Sequence, residues 1–204
     1  MSHERSSGNS LSTSFCSEPE QNREFIIGLI PTITKLLNNI LLSSSFSHFS
    51  HSNLFCLESI PSISISDYLI RIISYTNIEA STLVSSLIYI DRFCSNGCIK
   101  ISHYNIHTIL FISLYLAIKY NEDNLYEDVY YAKVGGLPLG EVTRLSLVFM
   151  TIIDYKLYIA TEEYKTYENY ISYKKTRNGL SDKGIYKAVC RRGREDVGIE
   201  SSWH

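Results

Sequence analysis

This sequence lacks the local arrangements that most enzymes carry. It has no G-x-S-x-G nucleophile turn, no phosphate-binding loop and no dinucleotide fingerprint. It also lacks a charge excess: the formal net charge of −2 does not suit a chain built to neutralise nucleic-acid phosphates, so no nucleic-acid partner is expected. No apolar h-region stands between Met1 and Ser10, and the five cysteines (Cys16, Cys56, Cys94, Cys98, Cys190) are odd in number and scattered. That usage points to a reducing intracellular compartment, nucleus or cytoplasm. The longest apolar stretch, Phe25 to Leu42, is interrupted by Pro31, Lys35, Asn38 and Asn39. Polar residues inside a span are costly, so it is not expected to cross a membrane. Sustained strand alternation is missing too, and Ile60 to Ile65 is too short and isolated to support a sheet.

What is present reads as helix. With 204 residues, 45% hydrophobic and 20% charged, the chain suits one globular domain with appendages. Residues 1–23 are Ser-rich and read as a disordered tail. Residues 24–56 hold an amphipathic helix, Glu24 to Leu42, with Pro31 either starting or kinking it, then a Ser/His/Phe-rich loop. Ser66 or Asp67 is placed to cap a helix reaching about Thr76. A second helix runs from about Glu79 to Phe93 and stops at Asn96-Gly97. Ser102 caps a third, mostly buried helix to about Tyr120. A short fourth helix, about Leu125 to Val134, ends at Gly135-Gly136. Pro138 suits the first turn of a fifth helix to about Ile153. Thr161 caps a last helix to about Tyr173, with Glu162 and Glu163 in its first turn where the dipole favours them. From 174 to 204, eight Lys or Arg face four acids without an apolar face, which predicts a basic, loosely ordered tail. The fold class is all-α.

The candidate chemistry is thin. Cys94, Cys98, His103 and His107 form C-x3-C-x4-H-x3-H, and those ligand types suit zinc. The spacing matches no familiar finger, and a helix connection followed by a first helical turn explains the same residues. The acids Glu122, Asp123, Glu127 and Asp128 lack the glycine of a calcium loop and read as a solvated helix end. Tyr164, Tyr167 and Tyr170 recur at threes, as core packing does. No catalytic residue, metal or cofactor is expected, and function falls to a surface that binds a partner.

The order of three segments carries a family pattern. SLIYIDRF (Ser86 to Phe93), LAIKYNED (Leu116 to Asp123) and YAKVGG (Tyr131 to Gly136) are followed by Leu139, Arg144, Leu145 and Leu147. This resembles the cyclin box, and within it the P/U-type branch of the fungal phosphate-sensing cyclin and its plant and protist relatives. The resemblance implies a five-helix box over 57–173 with its post-box helix, preceded by an N-terminal helix. It implies a non-catalytic regulator that binds a cyclin-dependent protein kinase and activates it by positioning the kinase's helix C. Lys119 matches the lysine that bonds backbone near that helix, with Tyr120 and Glu122 beside it. Ser146 stands where the family's fifth helix carries a glutamate to pair with this lysine, so Glu141 or Glu122 is left to substitute. Asp91 and Arg92 match the signature's charged pair, and Tyr131, Lys133, Gly135 and Gly136 the branch's signature. The segment Asp67 to Thr76 lacks the hydrophobic docking patch of cell-cycle cyclins, and the single Trp203 lies in the tail. Two alternatives share the fold: a kinase-binding scaffold without activation, and a transcription-factor-like use. The latter expects two boxes, a basic surface and a zinc ribbon.

Overall fold

A computed structural model describes residues 18–43, 54–96 and 100–176. Seven helices and no strand occur among the described residues: α1 (Glu18–Ser43), α2 (Ile65–Thr76), α3 (Ala80–Asn96), α4 (Ile106–Asn121), α5 (Asp128–Gly135), α6 (Leu139–Ile152) and α7 (Thr161–Thr176). The order matches a five-helix box, α2 to α6, between an N-terminal and a C-terminal helix. Most of the expected tails, and Gly97 and Cys98, lie outside the described residues.

The centre is α4. Every residue from Ile106 to Ile118 is buried, so the helix has no solvated face. It is enclosed by α2, α3, α5 and α6, with α3 making the most extensive interface. A three-ring cluster closes one side of the core. Phe93 stacks on Phe149 at 4.4 Å, and Phe55 meets Phe93 edge-on at 5.0 Å. Outside this box α1 and α7 pack on each other and on α3, and α1 also lies against α2.

Several helix ends differ from the sequence expectation, each for a local reason. Helix α1 begins at Glu18, inside the stretch read as a tail. Glu18-Pro19-Glu20 puts a proline and two acids in its first turn, where the missing N–H costs little and the dipole favours negative charge. Pro31 therefore lies within the helix rather than at its start. Pro31 has no N–H to return to the Ile27 carbonyl, and both residues lie on the exposed side of the helix. One stretch of α1, Asn22–Leu42, is long and apolar enough to span a bilayer, with an 18-residue window of mean hydropathy 1.7. In this fold Ile26, Leu29, Ile30, Ile33 and Leu37 of that stretch are buried in the protein core.

The cap of α2 is Ser64, not Ser66 or Asp67. Its Oγ accepts from the Asp67 N–H at 3.0 Å, satisfying one free N–H of the helix start, and donates to the Asp67 carboxylate at 2.7 Å. At α4 the helix proper starts after Asn105. The Asn105 side chain reaches back to the Ser102 N–H at 2.8 Å, while the Ser102 hydroxyl is buried without a partner. Ala160, not Thr161, accepts the first hydrogen bond of α7, from the Tyr164 N–H at 2.9 Å. Pro138 similarly sits at the N-cap of α6 rather than inside it.

YAKVGG ends α5 with two different demands for glycine. A Cβ on Gly135 would overlap the Phe111 ring of α4, so the close approach of α5 to the central helix needs a bare Cα. The Gly135 carbonyl accepts from the buried Tyr68 hydroxyl at 2.7 Å, which ties α5 to α2. Gly136 has φ +75°, and the N–H of Leu137 returns to the Ala132 carbonyl at 3.1 Å, the αL termination that glycine adopts without penalty. Gly140, by contrast, has open space around its missing Cβ. Urea denaturation of three single variants separates these roles. Gly135→Ala is expected to lose about 1–3 kcal/mol through overpacking, and Gly136→Ala about 1 kcal/mol through its left-handed backbone. Gly140→Ala, in a helix, is expected to lose nothing and gain up to about 1 kcal/mol.

Candidate partner-binding site

The signature residues Asp91 and Arg92 face α7. The Tyr167 hydroxyl donates to the Asp91 carboxylate at 2.6 Å. Arg92 donates to the carbonyls of Lys156 and Tyr158, and its guanidinium meets the Glu163 carboxylate at 2.7 Å. Tyr89, one turn earlier, donates to the Leu157 carbonyl at 2.7 Å. This part of α3 thus holds the 156–160 connection as well as α7. The connection leaves α6 through Asp154 and Tyr155, both in the left-handed region at φ 56° and 55°. Tyr155 is left 62% exposed. Its backbone conformation is uncommon for a bulky residue.

Lys119 stands where α4 leaves the core: Ile118 is buried, and Lys119 and Tyr120 are exposed. Its Nζ lies 2.7 Å from Asp128 Oδ1 and 5.9 Å from the ring centres of both Tyr115 and Tyr131. Those distances allow a cation–π contact with each ring. The Lys119 ammonium beside Asp128 holds its carboxyl below the usual range, with a hydrogen bond from the Tyr115 hydroxyl acting in the same direction against partial burial. Tyr115 is pushed upward, first by burial and then by its bond to that carboxylate. Side-chain exposures of 32% for Lys119 and 48% for Asp128 put the pair in a solvent-screened setting. Such a pair adds about 0.2–1 kcal/mol to folding.

Asp128 is the acid that sequence reasoning missed. Glu122, one of the two substitutes considered, accepts from the Glu79 N–H at 2.9 Å and the Thr82 hydroxyl at 2.6 Å, so its Oε1 caps the start of α3. Glu141, the other, lies 3.7 Å from Arg144 on its own helix. Ser146 is buried on α6 with no partner for its hydroxyl. Tyr131 is buried, its hydroxyl accepting from the Tyr126 N–H at 3.2 Å. The Lys133 side chain is exposed, while its carbonyl accepts from Arg71 at 3.1 Å. Lys119, Asp128 and Tyr131 therefore form one locus, Asp91 and Arg92 another, and Ser146 belongs to neither by any contact seen. A signal for Asp128 existed in the sequence: an acid just ahead of YYAKVGG opens the short helix whose tyrosine flanks Lys119.

Of the cysteine–histidine constellation, Cys94, His103 and His107 are among the described residues. Among the described residues no three His, Cys, Asp or Glu side chains cluster as metal ligands. The Nε2 of His107 lies 3.1 Å from the Ile63 carbonyl, with Tyr68 edge-on to its ring, and Cys98 lies outside the described residues.

Four helices around a buried fifth, clasped by two outer helices, define an all-α fold of the cyclin class. The family model for cyclins matches residues 6–157, and the chain belongs to the cyclin family. It is 36% identical to Cyclin-U2-1 of Arabidopsis thaliana over 65% of this chain and 60% of that protein. It is 37% identical to the PHO85 cyclin-like protein psl1 of Schizosaccharomyces pombe, over 56% of this chain and 48% of that one. PHO85 cyclin-7 of Saccharomyces cerevisiae is 33% identical, over 55% and 44%. The chain thus spans about half the length of the curated relatives it matches.

Burial lowers the titration of His107, against the opposing bond to Ile63 and with a smaller push from His103. The folded state therefore prefers the neutral ring. Stability should be complete above about pH 6.5, the ordinary histidine value, and fall as pH drops from there through the lower folded value. NMR titration of the His107 ring is expected to show a midpoint below about 6.5, with thermal midpoints declining over the same range.

Proposed function

We propose that this chain is a regulatory subunit that binds a cyclin-dependent protein kinase and activates it, presenting the end of α4 and the exposed side of α6 to the kinase's helix C. The observation that carries the reading is Lys119, a cation held out at the mouth of a fully buried helix in a chain of the cyclin family. Tyr120 beside it is half exposed, as is Leu147 on α6, which suits a surface awaiting an apolar partner. Two relatives carry PHO85 in their names, which makes a PHO85-type kinase the first partner to test. A regulator of this kind acts by binding the active kinase conformation more tightly than the inactive one. Its place of action is the nucleus or cytoplasm.

A second reading, binding without activation, is favoured by Ser146. A small, uncharged and buried hydroxyl on α6 offers the kinase no charge at the position where the family resemblance calls for a glutamate.

Purified chain, wild type or Lys119→Glu, is to be mixed with a panel of cyclin-dependent kinases that includes PHO85. Binding and peptide phosphorylation are then measured. Activation by the wild type, reduced at least about tenfold by the charge reversal, is the expected outcome. Binding with no gain in kinase activity selects the second reading, and failure to bind any kinase at low salt removes both.

A further inference from the structure

Lys119 has a flexible four-carbon stem, and a lysine free in solvent samples many rotamers that a partner must then freeze. In this protein the stem is not free. One oxygen of Asp128 takes the ammonium at 2.7 Å, and the ring centres of Tyr115 and Tyr131 each lie 5.9 Å from it. Asp128 is itself held. It is the first residue of α5, where the helix dipole favours a carboxylate, and it accepts a hydrogen bond from the Tyr115 hydroxyl. Tyr115 lies one turn before Lys119 on α4, so the acid is bound at two points of the helix that carries the lysine. The only serine facing inward on α6, Ser146, makes no contact of this kind.

We propose that Asp128 is the positioning residue for Lys119, so that the partner-facing cation of this chain is aimed from α5 and not from α6. The inference rests on the reading of Lys119 as a kinase contact. Asp128 takes one of the three ammonium donors and leaves the others for the partner. The rotamer entropy is then lost in the free protein rather than on binding. The pair is too exposed to serve mainly as a folding device.

Two readouts on the full chain test this. The first needs no kinase: the rate at which a water-soluble acetyl N-hydroxysuccinimide ester acylates Lys119, followed by peptide mass spectrometry. An amine in an ion pair must leave it to react. Asp128→Asn is expected to raise the rate severalfold, and Asp128→Glu to keep it low. Tyr115→Phe, which leaves the acid in place but removes its support, is expected to fall between, and serves if Asp128→Asn does not fold. A rate unchanged in both Asp128→Asn and Tyr115→Phe overturns the proposal. The second readout is the Kd for the kinase that wild type binds. Asp128→Asn is expected to weaken it about three- to tenfold, the cost of ordering one long side chain. The same substitution is expected to add nothing once Lys119 is Met. Equal weakening in both backgrounds means that Asp128 acts on the fold and not through Lys119, and overturns the proposal. A wild-type chain that binds no kinase removes the functional reading, while the acylation rates still decide whether Asp128 places Lys119.

Discussion

A helix without a polar face has to be enclosed on all sides, and α4 is such a helix for thirteen residues from Ile106 to Ile118. Leaving any side open would expose large apolar area to water, at about 25 cal/mol per Å². The enclosure is what makes α2, α3, α5 and α6 a box rather than a row. It also sets the tolerances: α5 comes so near that Gly135 has no room for a methyl group beside Phe111. Burial ends abruptly at Ile118, and the next two residues, Lys119 and Tyr120, emerge together. The position of Lys119 at the surface follows from where the enclosure stops.

Helix α7 and the connection before it are fastened to α3. Glu122, just beyond the end of α4, caps the start of α3, and Asp91 and Arg92 near the other end hold α7 and the 156–160 connection. Between α1, α3 and α7 lies an apolar cavity lined by Leu36, Ile40, Leu87, Ile90 and Ile171, with the Asp91–Tyr167 hydrogen bond beside it. The signature charges thus fasten helices to one another, while the cation at Lys119 is left half in solvent. Both kinds of residue lie in the family motifs, yet only geometry separates those that fasten helices from the cation left at the surface.

Much of this was legible in sequence because it is local. Apolar spacing at 3.6 residues marked the helices, and Gly135-Gly136 and Pro138 marked the break between α5 and α6. Some misplaced ends were those where several residues competed for one role. Ser64, Ser66 and Asp67 are all good cap residues, and the reciprocal bonds between Ser64 and Asp67 decided among them. Glu18-Pro19-Glu20 looked like tail because nothing apolar accompanies it, although its chemistry is that of a first turn. The partner of Lys119 was misread for a different reason. Glu122 and Glu141 were nearer to expectation, but one is spent on α3 and the other lies beside Arg144.

By itself the sequence determined that the chain is all-α and roughly where its helices break, because helix periodicity and turn chemistry depend on neighbours a few residues apart; the cyclin box was legible only as a resemblance carried by the order of three motifs. Tertiary structure alone decided that Asp128 meets Lys119, that Glu122 caps a helix forty residues earlier in the chain, and that Asp91 and Arg92 bind α7. The Glu122 and Asp91 bonds join groups 40 and 76 positions apart in the chain, and for Lys119 several nearby acids in the sequence could have served equally. Only the packing of α5 against α4 brings one of them within 2.7 Å of the ammonium.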